Sequence, residues 1–99
     1  MAVHARYYEI LEDCKKLVEA KNKDYTGGKD PLYNLKYIEN FGIPAWVGIL
    51  ARITDKWTRF ESLIKNKETA VQSEKIDDTI KDMINYLVFF LVEYETAKK

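Results

Sequence analysis

The stretch Ser73 to Tyr86 reads SEKIDDTIKDMINY, and its periodicity decides the fold class. Ile76, Ile80, Met83 and Ile84 recur at steps of three and four, one apolar face of an α-helix, and Leu87, Leu91 and Tyr94 continue it. Ser73 suits the N-cap, since its hydroxyl can accept from a free backbone N–H of the first turn. Glu74, Asp78 and Asp82 stand four apart, so they stack as a row on another face. Followed along the helix, that row becomes Asn85, then Phe89 and Val92, with Val88 beside them. A face left wholly in water has no reason to turn apolar. The spacing therefore predicts a helix covered on two sides, one by the core and one by a partner helix or subunit, with the acids at the mouth of the second interface.

Upstream, Asn66 to Gln72 reads as a polar connector. From Pro44 to about Lys65, Trp46, Ile49, Leu50, Ile53, Trp57, Phe60 and Ile64 form a second apolar stripe. Pro44 suits the first position of that helix. Its opposite face carries Gly48, Arg52, Asp55 and Arg59. The segment FGIP breaks the chain before it, and Leu32 to Asn40 reads as a short helix. At the N-terminus Val3, Tyr7, Ile10, Leu11, Cys14, Leu17 and Val18 mark a further long helix, ending near Asn22 to Asp24 because Gly27, Gly28 and Pro31 follow. Without strand alternation or repeats, the expectation is an all-α bundle of three long helices and one short one, a single domain over residues 1–99. At this size an incomplete core makes oligomerisation a natural completion.

Composition narrows the function classes. Sixteen basic and sixteen acidic residues among 99 leave no net charge, so there is no strong nucleic-acid signal. Any anionic ligand must be met by a focused site. The single Cys14 excludes an internal disulfide, fits a reducing compartment, and falls inside an apolar stripe, where a thiol is core. His4 is the one histidine, close to a terminus, and is expected at the surface. No signal peptide or membrane-length apolar run is visible, so a cytoplasmic protein is expected. Gly28-Lys29 is no phosphate loop, because the upstream glycine, the following Ser or Thr and a preceding strand are all missing.

Three polar groups could carry chemistry. Carboxylates one turn apart suit Mg²⁺, although acids in a first helical turn also serve the helix dipole and Asp77 with Lys81 is an ordinary i, i+4 pair. Arg52 and Arg59 flanking Asp55 could clamp phosphate beside a metal ligand, or could merely form helical ion pairs. Gly48 in that row is easier to understand if something approaches the backbone there. Lys21, Lys23, Asp24 and Tyr25 close the first helix. The lysines are expected there on dipole grounds, whereas Tyr25 could stack on a base and Asp24 could accept from its edge.

Taken together, KNKDY (Lys21–Tyr25), R-x-x-D-K-x-x-R (Arg52–Arg59) and S-E-x-x-D-D-x-x-x-D-M-x-N-Y (Ser73–Tyr86) resemble the phage-associated nucleotide-modification domain family. The resemblance spans roughly Val18 to Leu91. More distantly the pattern is similar to the all-α nucleoside triphosphate pyrophosphohydrolases, the MazG and dimeric dUTPase group. Those are helical oligomers that cleave between the α- and β-phosphates with Mg²⁺, held by E-x-x-E on one helix and E-x-x-D on the next. Asp82, with Tyr86 four residues on, matches the last acid of the second pair. Asp78 or Glu74 would partner it, since Thr79 holds the i−3 position. R-I-T-D stands where E-x-x-E is expected: Asp55 matches the second acid and Arg52 replaces the first.

The resemblance implies Mg²⁺ on Asp55, Glu74, Asp78 and Asp82, which would also be the catalytic acids. It implies substrate contacts from Lys21, Asp24, Tyr25, Arg52, Lys56, Arg59, Asn85 and Tyr86 in a homo-oligomer. Arg52 in place of an acid favours the alternative of a binder that sequesters a nucleotide without hydrolysis. A helical interaction module using Tyr33, Tyr37, Phe41, Phe89 and Phe90 is the third reading.

Overall fold

The computed structural model describes residues 4–26, 32–66 and 70–98, with the side chains of residues 23–26 and 70–73 outside the described set. Among these the protein is all-α: α1 (Ala5–Thr26), α2 (Tyr33–Lys36) running into a 3₁₀ turn (Tyr37–Phe41), α3 (Ala45–Lys65) and α4 (Ala70–Ala97). The expected short helix at Leu32 to Asn40 is thus α2 plus the 3₁₀ turn. Helix α1 runs to Thr26, past the expected stop, because the residues that cannot propagate it begin only at Gly27. Helix α4 begins at Ala70, so Ser73 lies inside it and is not its N-cap. No Gly or Pro lies between Lys65 and Ser73 to delay the helix. Pro44 (φ −58°, ψ 141°) stands just before α3, with its carbonyl accepting from the Val47 N–H at 3.0 Å.

His4 is exposed, as expected, and it caps the first helix. Its Nδ1 accepts the Arg6 N–H at 3.0 Å, satisfying a donor that the first turn of α1 leaves free. The 3₁₀ turn ends on Gly42 at φ 80°, the left-handed conformation that an L side chain rarely adopts, and the chain then reverses into α3.

Helices α3 and α4 form the principal antiparallel pair, with Ile49 fully buried between them and Ala45, Thr79 and Met83 buried along the same seam. Trp46 meets Phe90 and Tyr94 edge-on, with ring centroids 6.1 and 6.2 Å apart, and closes one end. Helix α1 lies across α4 near its middle. Cys14 is buried in that crossing, as expected. Asn85 Nδ2 donates to its carbonyl at 3.1 Å, and Lys81 reaches Asp13 at 3.6 Å and its own-helix partner Asp77 at 2.9 Å. Burial pushes the Cys14 thiol above its ordinary pKa, with Lys81 acting the other way, which favours the protonated thiol.

The apolar stripes are only partly buried. Tyr7 and Leu11 of α1, Leu50, Trp57 and Ile64 of α3, and Leu87, Leu91 and Tyr94 of α4 are exposed. For α3 and α4 the physical reason is that α1 and α2 cover one side of the pair and no described element covers the other. One buried carboxylate went unforeseen: Glu93, which Lys36 of α2 approaches at 3.9 Å. The signal was present, since Glu93 stands three residues after Phe90 and ten after Met83, on the line of α4 that faces α3.

Candidate functional site

Helical geometry turns Arg52, Asp55 and Arg59 of α3 and Glu74, Asp78, Asp82 and Asn85 of α4 to the same side of the antiparallel pair. On that side α1 crosses over α4 and α2 leans on α3, leaving an open cleft of about 340 Å³ between the four elements. Its walls are Val18, Lys21 and Asn22 from α1, Asn34 and Leu35 from α2, Arg52 and Lys56 from α3, and Asp82, Asn85, Tyr86 and Phe89 from α4.

Asp82 sits at the centre of its polar half. Lys21 Nζ donates to one carboxylate oxygen at 2.8 Å and Lys56 Nζ reaches the other at 3.1 Å. The carboxylate is largely shielded from solvent, and that burial alone would raise its pKa. The hydrogen bonds and charges of Lys21 and Lys56 outweigh it and hold the group below the ordinary aspartate value, so Asp82 is ionised near neutral pH. With Arg52 in the same cleft, three cations meet one carboxylate. The excess is positive. Tyr86, Phe89 and Leu35 make the other half apolar, and Asn22 and Asn34 add amides to it.

The cleft therefore gathers Lys21, Arg52, Lys56, Asp82, Asn85 and Tyr86 from the residues that the sequence singles out. Asn85 is committed in part to structure, through its bond to Cys14. Asp55, Arg59, Glu74 and Asp78 are exposed and do not line the cleft. Among the described residues no three His, Cys, Asp or Glu side chains stand together as metal ligands, and no ion pair joins Asp55 to Arg52 or Arg59. The side chains of Asp24 and Tyr25 lie outside the described residues. Gly48 has a neighbour, but it is protein: an added Cβ would meet two atoms of the Ile38 side chain at 3.3 Å. The glycine lets the 3₁₀ turn sit close on α3 and so places α2 at the cleft. Sequence reasoning missed Val18, Asn22, Asn34 and Leu35, whose approach depends on how α1 and α2 fold back, and it assigned Phe89 to an interaction surface, not to the cleft it lines.

Fold and cleft define a small all-α protein with a cationic pocket backed by aromatic and amide side chains. The profile of the family described as "Nucleotide modification associated domain 1" matches residues 38–94, more than half of the chain, and the protein belongs to that family. No curated protein and no solved structure matches it. The matched segment carries α3, α4 as far as Tyr94, and the cleft wall from Arg52 to Phe89. The wall formed by Val18, Lys21, Asn22, Asn34 and Leu35 precedes it. No helix among the described residues is long and apolar enough to cross a membrane.

Proposed function

We propose that this protein binds a nucleotide in the α1–α2–α3–α4 cleft, with the phosphates taken by Lys21, Arg52 and Lys56 and the base laid against Tyr86 and Phe89. The observation that carries this reading is the pair of lysines on Asp82. Two ammonium groups drawn from different helices to one point, with a guanidinium beside them, form a focused positive site in a protein of no net charge. Phosphate oxygens are stronger partners for Lys and Arg than water is, and Arg52 can grip them bidentately. Membership of a nucleotide-modification-associated family supports the same ligand class.

The donor set does not fit a Mg²⁺ held by protein carboxylates alone, because Asp82 is engaged by two lysines and Asp55, Glu74 and Asp78 stand away from the cleft. In this reading Mg²⁺ arrives with the nucleotide, bound mainly by phosphates and water. A second reading, Mg²⁺-dependent (d)NTP pyrophosphohydrolysis, draws on Asp82 itself. An ionised carboxylate on the cleft wall would be released once Lys21 and Lys56 turned to the phosphates.

The test is a thermal-shift series with nucleoside mono-, di- and triphosphates, each with Mg²⁺ or with a chelator, run beside a pyrophosphate-release assay. Binding predicts a raised Tm that persists without metal and is lost in Lys21→Glu/Lys56→Glu. No shift with any nucleotide would sink the reading. Pyrophosphate release that Asp82→Asn abolishes would select the second.

A further inference from the structure

The side of the α3–α4 pair turned away from the cleft is bare. Helical register puts Val47, Leu50, Trp57 and Ile64 of α3 and Ile80, Ile84, Leu87, Leu91 and Tyr94 of α4 on this one side, since antiparallel neighbours turn the same flank outward together. Leu50 is 47% exposed, Trp57 51%, Leu87 53% and Leu91 54%, so the middle of the surface is leucine and tryptophan in water. Between Ile80 and Leu91 that flank of α4 carries no charge.

The exposed area is large for a chain of this mass. The chain exposes 7424 Å², whereas a compact monomer of 11.6 kDa exposes about 5,800 Å². Its radius of gyration is 15.2 Å against about 13 Å for a compact chain of this length. The excess of roughly 1,600 Å² is spread over the whole chain, and it is large enough to include the roughly 800 Å² that each partner buries in an interface of standard size. Apolar residues on two antiparallel helices also form a flat, self-complementary strip, which an isologous pairing across a two-fold axis covers with one surface. We infer that a second copy of this chain covers the surface, so that two α3–α4 pairs join as a four-helix bundle with the two clefts facing outward. This inference does not depend on what the cleft binds.

Sedimentation equilibrium of the full chain from about 1 to 100 µM is the experiment. The expected result is twice the chain mass of 11.6 kDa for the natural sequence. Leu50→Glu/Leu87→Glu, at exposed positions whose change leaves the helices intact by circular dichroism, should weaken association by roughly 100-fold or more, because each pairing would bury unpaired charge. Should that variant fail to fold, Trp46→Phe keeps the inference testable by leaving Trp57 as the sole tryptophan. Its emission should move to the blue as concentration rises through the association range. A chain that stays monomeric at 100 µM overturns the inference. So does association that survives in the double variant, or Trp57 emission that stays water-exposed at every concentration.

Discussion

On one flank of the α3–α4 pair, α1 and the α2 turn close over polar side chains and leave a cleft. On the other flank the same two helices present leucine, tryptophan and isoleucine to water. Both flanks belong to the same two helices, so what separates them is which residues each flank turns outward. The covered flank is organised by a few directional contacts: Lys21 and Lys56 on Asp82, Asn85 on the Cys14 carbonyl, Lys81 on Asp13. The bare flank has area without direction, and area is what association of copies uses. The lesson is that polar ties place α1 within the chain, while the apolar surface is left for something outside it.

That contrast can be broken in order of expected effect. Lys21→Glu/Lys56→Glu should reduce nucleotide affinity at least about 100-fold by calorimetry, since two attractive charges become repulsive. The same variant should leave sedimentation unchanged, because neither residue lies on the bare flank. A variant that lost both together would show the flanks to be coupled.

Asp82→Asn should destabilise the fold by about 1–2 kcal/mol in urea unfolding, the scale of charge-assisted hydrogen bonds discounted for partly exposed lysines. The pH profile sharpens this. Because the folded pKa of Asp82 lies below the unfolded value of about 3.9, its stabilisation is complete above that pH and disappears as pH falls through the lower folded value. Lys81 behaves oppositely. Its hydrogen bond to Asp77, opposed by burial and aided by Asp13, raises its pKa, so its contribution is complete below about 10.4 and is lost as pH rises through the folded value. Natural protein and Asp82→Asn should therefore converge in stability at the acid end, and Lys81→Met should flatten only the alkaline limb.

Gly42→Ala should cost about 1 kcal/mol through its left-handed backbone alone, because an added Cβ there meets nothing within 4 Å. Gly48→Ala should change stability by less. A helix gain of up to about 1 kcal/mol is set against a Cβ that presses at 3.3 Å on Cδ1 and Cγ2 of Ile38, a β-branched side chain that can give only a little. If Gly48→Ala nevertheless weakens ligand binding, the seat of the 3₁₀ turn governs the cleft.

The sequence determined the helices, because apolar residues at steps of three and four need only local geometry to declare themselves. It also singled out Arg52 and Asp82, which the fold brings to one cleft, whereas Asp55, Arg59, Glu74 and Asp78 of the same rows stay exposed outside it. Two local expectations failed for local reasons: Ser73 lies inside α4, which begins at Ala70 in a stretch without Gly or Pro, and α1 persists to Thr26, since neither Tyr25 nor Thr26 forbids a helix. The sequence could not say which residues of an apolar stripe are covered. Leu50 and Leu87 carry the same periodic signal as Ile49 and Met83, yet the first two are exposed and the second two buried. Nor could it say that the partners of Asp82 would be lysines, one of them 61 residues upstream on another helix. Only the tertiary structure decided these. Periodicity is a property of one helix, whereas burial and charge pairing belong to the neighbours that a helix acquires when the chain folds back on it.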